Sequence, residues 1–192
     1  MGFEELYPRV ARLTIVPPDR CRALFGLASR AAGLDGDVAE VGVYKGGTAL
    51  MLSEVFPHRR VFAFDTFGGM PDTAGASDVH RAGDFSDTSL EAVRAALARH
   101  KNVEFRPGLF PATALGLESG RFCLAHFDGD LYQSCRDFIA FFRPRMSPGG
   151  VMVFDDWDWH GCPGVNRAIG EAGLAVVESA RYQCYAVAPG AK

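Results

Sequence analysis

A chain of 192 residues is long enough for one domain with a sizeable core, and a single domain over residues 1–192 is expected. With 48% hydrophobic and 22% charged residues and a formal net charge of −3, it carries no basic stripe for nucleic acid, and no apolar run nears the roughly 20 residues of a membrane span, so neither partner is expected. MGFEELYPRV lacks the charged head and apolar core of a signal peptide, and five cysteines without a C-x-x-C (Cys21, Cys123, Cys135, Cys162, Cys184) read as reduced small hydrophobes, so a cytoplasmic protein is expected.

Residues 1–37 form an N-terminal helical segment. In it, Asp19 to Ala32 follows Pro17-Pro18 and sets Cys21, Leu24, Phe25, Ala28 and Ala31 at helical spacing. Val38 to Val43 reads as a strand, Thr48 to Phe56 as a helix stopped by Pro57, and Val61 to Phe64 as a second strand. A polar connection from Thr66 to Asp87 follows, long enough to be functional or mobile. Thr88-Ser89-Leu90-Glu91 has capping-box spacing and opens a helix to about His100. Val103 to Arg106 is a third strand, Pro111 to Leu117 a short helix, and Phe122 to Phe127 a fourth strand. Leu131 to Phe142 is a helix closed by Pro144, and Ser147-Pro148-Gly149-Gly150 turns the chain into a fifth strand, Val151 to Phe154. Pro163 to Ala172 is the last helix, and Leu174 to Ser179 with Tyr182 to Ala188 are a closing pair of strands. This alternation predicts an α/β fold, a doubly wound, mostly parallel seven-stranded sheet with helices on both faces. Ligands in such sheets bind beyond the carboxyl ends of the strands.

The unusual residues fall at those ends. After the first strand comes AEVGVYKGGTAL, where Gly42, Gly46 and Gly47 can form a tight turn that brings a ligand close to the backbone. The spacing matches neither the dinucleotide fingerprint nor a P-loop. Glu40 at the strand end would repel a pyrophosphate and suit an ammonium or sulfonium. Asp65 ends the second strand about 20 residues after the loop, the place of an acid that binds ribose hydroxyls. A ribose and a cationic tail without phosphates describe S-adenosylmethionine. Tyr44 in the loop and Thr66 after Asp65 are expected beside that cofactor. A nicotinamide-dependent oxidoreductase or epimerase fits the glycine spacing and Glu40 less well. A non-catalytic domain that binds S-adenosylmethionine is a further alternative.

The fourth strand ends in DGD (Asp128, Asp130) and the fifth in Asp155-Asp156. Neighbouring strands lie about 4.8 Å apart, so these carboxylates would converge and need a cation. Oxygen-only ligation by Asp128, Asp155 and Asp156 favours a hard divalent ion, magnesium first.

AEVGVYKGGTALML, VFAFDTFGGMPD, DGDLYQS and SPGGVMVFDDW with GCPGVNRAI resemble the macrocin O-methyltransferase family over about residues 38 to 71 and 103 to 169. The resemblance implies a metal-dependent, S-adenosylmethionine-dependent methyltransferase acting on sugar hydroxyls of antibiotics, on a sheet with an antiparallel last strand. It implies cofactor contacts at Glu40, Gly42 and Asp65, magnesium at Asp128, Asp155 and Asp156, and a general base at Asp130. Asp128 also abuts the expected cofactor site, and His160 is a second base candidate. The segment before the first strand is shorter than in family members, so the long loop is the expected lid, with Asp84 and Phe85 touching adenine. The acceptor is expected to be a small hydroxylated molecule. The Phe-rich FIAFFRP helix faces either the core or a second subunit in a homo-oligomer.

Overall fold

Apolar runs broken by glycine and proline fold into the expected alternation. The computed structural model describes residues 1–72 and 78–190. In chain order the elements are α1 (Phe3–Val10), α2 (Pro18–Ala31), β1 (Asp37–Val41), α3 (Gly47–Val55), β2 (Val61–Asp65), α4 (Leu90–Ala96), β3 (Val103–Pro107), β4 (Phe122–Phe127), α5 (Tyr132–Phe142), β5 (Met146–Asp155), α6 (Pro163–Glu171), β6 (Val177–Ala180) and β7 (Gln183–Val187). They build one seven-stranded sheet in the order β3-β2-β1-β4-β5-β7-β6. Pairing is parallel from β3 to β5, and β7 runs antiparallel to both β5 and β6. The chain winds outward first from β1 to β3 and then from β4, so β1 and β4 flank the point where strand order reverses. A crevice opens there in doubly wound sheets.

Side-chain alternation divides the core in two. Val38, Leu124 and Val153 pack with α1, α2 and α3 on one face. Ala39, Val41, Ala125, Phe127 and Phe154 pack with α5 and α6 on the other. The second face is dense in aromatics, with Phe122 and Phe142 ring centroids 4.9 Å apart and Phe138 and Phe142 also 4.9 Å apart. The FIAFFRP helix therefore faces the core, since Phe138, Ile139 and Phe142 are buried. Among the described residues no helix is long and apolar enough to cross a membrane.

Some boundaries differ from expectation for local reasons. β1 stops at Val41 because Gly42 turns at φ +91°. Ser89, not Thr88, caps α4 by accepting the Ala92 N–H at 3.1 Å, while the Thr88 hydroxyl donates to the Tyr44 carbonyl at 2.7 Å. The expected helix from Pro111 shrinks to one turn at Ala112–Ala114, ended by Gly116 at φ +86°. The turn expected at Ser147 to Gly150 lies inside β5, where the β4–β5 register shifts. Of the expected lid, residues 73–77 lie outside the described residues.

Candidate active site

A cavity of about 390 Å³ opens at the carboxyl ends of β1, β2, β4 and β5, within the size range of small-molecule sites. Gly42 lines it and takes a conformation that L side chains rarely adopt; a Cβ there would collide with the Asp128 carbonyl. That close approach of two strand ends is what a glycine permits. Asp65 ties the turn down from the neighbouring strand. Its Oδ2 accepts the Val43 and Tyr44 N–H groups at 2.7 and 2.9 Å, and its Oδ1 accepts the Phe67 N–H at 2.6 Å. A carboxylate has about four acceptor positions, so Asp65 keeps capacity for one more donor from the cavity side. Thr66 also lines the cavity, but its hydroxyl donates to the Gly69 carbonyl at 2.6 Å.

Three of the residues expected at the cofactor do not line the cavity. Gly46 caps α3 at φ +92°, and its open side meets Val93 of α4 and Leu97 just after it. Asp84 accepts the Arg81 N–H at 2.9 Å and holds its own loop. Glu40 is fully buried; strand alternation turns it to the α2–α3 face, where Oε1 meets His126 Nδ1 at 2.8 Å and Oε2 has no hydrogen-bond partner among the described residues. Phe85 and Tyr44 do line the cavity, with ring centroids 6.0 Å apart, and offer an aromatic wall.

The acids at the ends of β4 and β5 are balanced by cations from elsewhere in the chain. Asp155 is buried and points away from the cavity: Oδ2 meets His126 Nε2 at 3.2 Å and Oδ1 accepts from Gln183 at 2.7 Å. Arg20 of α2 donates to Asp156 Oδ1 at 2.9 Å and stands 3.8 Å from Asp155. Burial opposes charge on His126, but hydrogen bonds to Asp155 and Glu40 outweigh it and lift the imidazole well above its ordinary value. The oxygens of Asp128, Asp155 and Asp156 do not all come within 4.8 Å of one another.

Asp128, Asp130 and Asp156 face the cavity. Burial, then the charges of Asp155 and Asp156, pushes the Asp128 carboxyl well above the usual carboxylate range. Among the described residues no hydrogen-bond donor meets that carboxylate. Burial and Asp156 push Asp130 the same way. Half-buried Asp128 and buried Asp156, both open to the cavity, are a donor set suited to a hard divalent ion. Asp130 sits at φ +57° and accepts from the Cys162 thiol at 3.2 Å.

His160 does not join the site. Residues Asp156 and Asp158, both at positive φ, swing Trp159 inward to the cavity, and exposed His160 lies outside against the Trp159 ring at 5.8 Å. The histidine near Asp130 is His80, from the long connection, with Nε2 3.6 Å from Asp130 Oδ1. Arg20, His80, Cys162 and His126 are absent from the site residues expected from the sequence. Arg20 and His80 lie far along the chain from the acids they meet, so no local spacing marks them.

The sequence profile of the macrocin-O-methyltransferase (TylF) family matches residues 7–171. The 8-demethyl-8-(2,3-dimethoxy-alpha-L-rhamnosyl)-tetracenomycin-C 4'-O-methyltransferase of Streptomyces olivaceus is 34% identical over 148 residues, which cover 69% of this chain and 57% of that enzyme. The mycinamicin III 3''-O-methyltransferase of Micromonospora griseorubida is 30% identical over 173 residues, 80% of this chain and 68% of that one. The alignments thus span 57% and 68% of these relatives' lengths. The solved O-methyltransferase NovP shares the fold at a TM-score of 0.80 and 24% identity, covering 92% of this chain and 82% of that one.

Proposed function

The chain belongs to the macrocin O-methyltransferase family, and on that premise we propose that it moves a methyl group from S-adenosylmethionine to a sugar hydroxyl of a small natural product. One observation supports this reading above the others: the glycine turn at Gly42 and the acids Asp128, Asp130 and Asp156 open onto one cavity at the strand-order reversal. A donor and an acceptor hydroxyl can meet only where both sets of groups share a space.

On this reading, Gly42 lets the donor approach the backbone, and Asp65 spends its remaining acceptor capacity on a ribose hydroxyl. Tyr44 and Phe85 flank the base. Asp130 accepts the proton of the acceptor hydroxyl as the oxygen attacks. Asp128 and Asp156 would hold a magnesium-class ion. Asp155 stands behind them and orients Arg20 and His126. Such an ion, when bound, lowers the pKa of a coordinated hydroxyl and orients it. Arg20 also lines the cavity and keeps Asp156 in place.

The test is direct. Purified protein with S-adenosylmethionine and a panel of rhamnosylated acceptors, analysed by mass spectrometry, is expected to add one methyl group. Calorimetric binding of S-adenosylhomocysteine without turnover on any glycoside would favour the non-catalytic alternative, and no binding would defeat the reading.

A further inference from the structure

Beside the acids already described lies a group of different chemistry. His80, Asp130 and Cys162 each offer one ligand atom, and these atoms all lie within 4.8 Å of one another. Cys162 Sγ is 3.2 Å from Asp130 Oδ1, and His80 Nε2 is 3.6 Å from the same oxygen. A tetrahedral ion with bonds of about 2.0–2.3 Å sets its donors about 3.3–3.6 Å apart. The spacing therefore needs little change to enclose one.

Three further observations point the same way. His80 Nε2 is buried and has no hydrogen-bond partner among the described residues, an expensive state for a ring nitrogen unless something binds it. The other ring nitrogen, Nδ1, faces Asp84 Oδ2 at 3.3 Å, and Asp84 is itself fixed by the Arg81 N–H. A carboxylate behind a histidine is the usual outer-shell arrangement at zinc, because it sets the tautomer that leaves Nε2 free to ligate. Finally, Asp130 lines the cavity, which gives an ion a route in and leaves a coordination position on that side.

We propose that His80 Nε2, Asp130 Oδ1 and Cys162 Sγ form a second metal site that takes a zinc-class divalent ion. The mixed nitrogen, oxygen and sulfur set selects against magnesium, which prefers oxygen alone. The entering ion displaces the thiol proton to solvent and forms the sulfur–metal bond in its place. Occupancy clamps the segment that carries His80 against the start of α6. It also removes Asp130 from proton transfer, so zinc inhibits the enzyme; this last consequence rests on the function proposed above.

Cobalt reports on the site without any assay of turnover. The full-length protein, stripped of metal and held in millimolar magnesium, is titrated with Co²⁺. The expected result is a near-ultraviolet thiolate-to-cobalt band that saturates at one ion per chain and disappears on adding Zn²⁺. Cys162→Ser should abolish the band, and His80→Ala should weaken cobalt binding by more than about tenfold, the loss that even an outer-shell partner brings. His80 sits on a half-buried connection, so that variant keeps the test open if the buried Cys162→Ser does not fold. No band in the native protein, or a band unaffected by His80→Ala, overturns the site. A band with zinc-insensitive methyl transfer leaves the site standing and removes Asp130 as the base.

Discussion

His126 shows how single residues settle the charge balance of this sheet. Both of its ring nitrogens face carboxylates, Glu40 at 2.8 Å and Asp155 at 3.2 Å. Carboxylates only accept, so both nitrogens must carry protons and the ring is an imidazolium. Replacing it by leucine would leave two fully buried acids with no cation between them. Loss of one member of a buried ion pair costs about 3–5 kcal/mol. His126→Leu is therefore expected to lower the unfolding free energy read from urea denaturation by that amount or to prevent folding, and an unchanged free energy would show that the ring is neutral. From the sequence, converging acids called for a positive charge, and that need was legible. Its source was not: Arg20 meets Asp156 across 136 residues of chain, and His126 looks like a lone polar residue in an apolar strand.

At the scale of elements, the period of two along each strand turns Glu40 and Asp155 away from the cavity, while Asp128 and Asp156 lie past the strand ends and face it. Glu40 and His126 are register partners on β1 and β4, and His126 pairs with Val153 on β5, so Asp155, two residues on, faces the same way. The alternation was readable; which face held the cavity was not. The β1–α3 turn depends on Asp65 for two N–H bonds, so Asp65→Ala should do more than lose a ribose contact. Cofactor affinity should fall by about 1–3 kcal/mol, with the melting temperature falling too because three amides, Val43, Tyr44 and Phe67, lose their acceptor. Unchanged calorimetric binding of S-adenosylhomocysteine would count against the ribose role. His100 ties three elements in a similar way. Arg9 donates to Nε2 at 3.2 Å, so Nδ1 carries the proton and donates to Ser53 Oγ at 2.8 Å, whose own hydrogen goes to the Leu50 carbonyl. Burial, with Arg9 adding to it, holds this ring below its ordinary value despite Glu54. The unfolded chain then binds the extra proton first. The stability His100 contributes is present above about pH 6.5 and is lost as pH falls through the folded value. Between pH 7.5 and 5, the melting temperature of native protein should fall further than that of His100→Asn; parallel curves would refute the neutral tautomer.

For the molecule as a whole, the doubly wound, mostly parallel sheet was legible because strand–helix alternation with apolar strands admits few topologies, and a site beyond its carboxyl ends was the expectation that followed from it. Which loop residues close over that site was not, since glycine and acid content says nothing about whether Asp84 turns inward or Phe85 does. On the proposed function, the strand-order reversal also divides the cavity by task. Gly42, Tyr44 and Asp65 come from the carboxyl ends of β1 and β2 and the turn after β1, while Asp128, Asp130 and Asp156 come from the segments just after β4 and β5. The two halves should fail separately, and Asp128 is the place to separate them. Its carboxylate has no protein donor among the described residues, and burial with the charges of Asp155 and Asp156 disfavours its ionised form. The neutral amide removes that repulsion at nearly the same volume. In chelator, Asp128→Asn should therefore melt higher than the native protein, by about 2–4 °C for each roughly 1 kcal/mol regained at this chain length. It should still bind S-adenosylhomocysteine but lose methyl transfer, a site in which stability has been given up for function. Magnesium should raise the melting temperature of the native protein and leave the variant unmoved. A variant that melts lower in chelator would mean Asp128 serves the fold, and full native turnover in excess chelator would remove the hard metal from the mechanism.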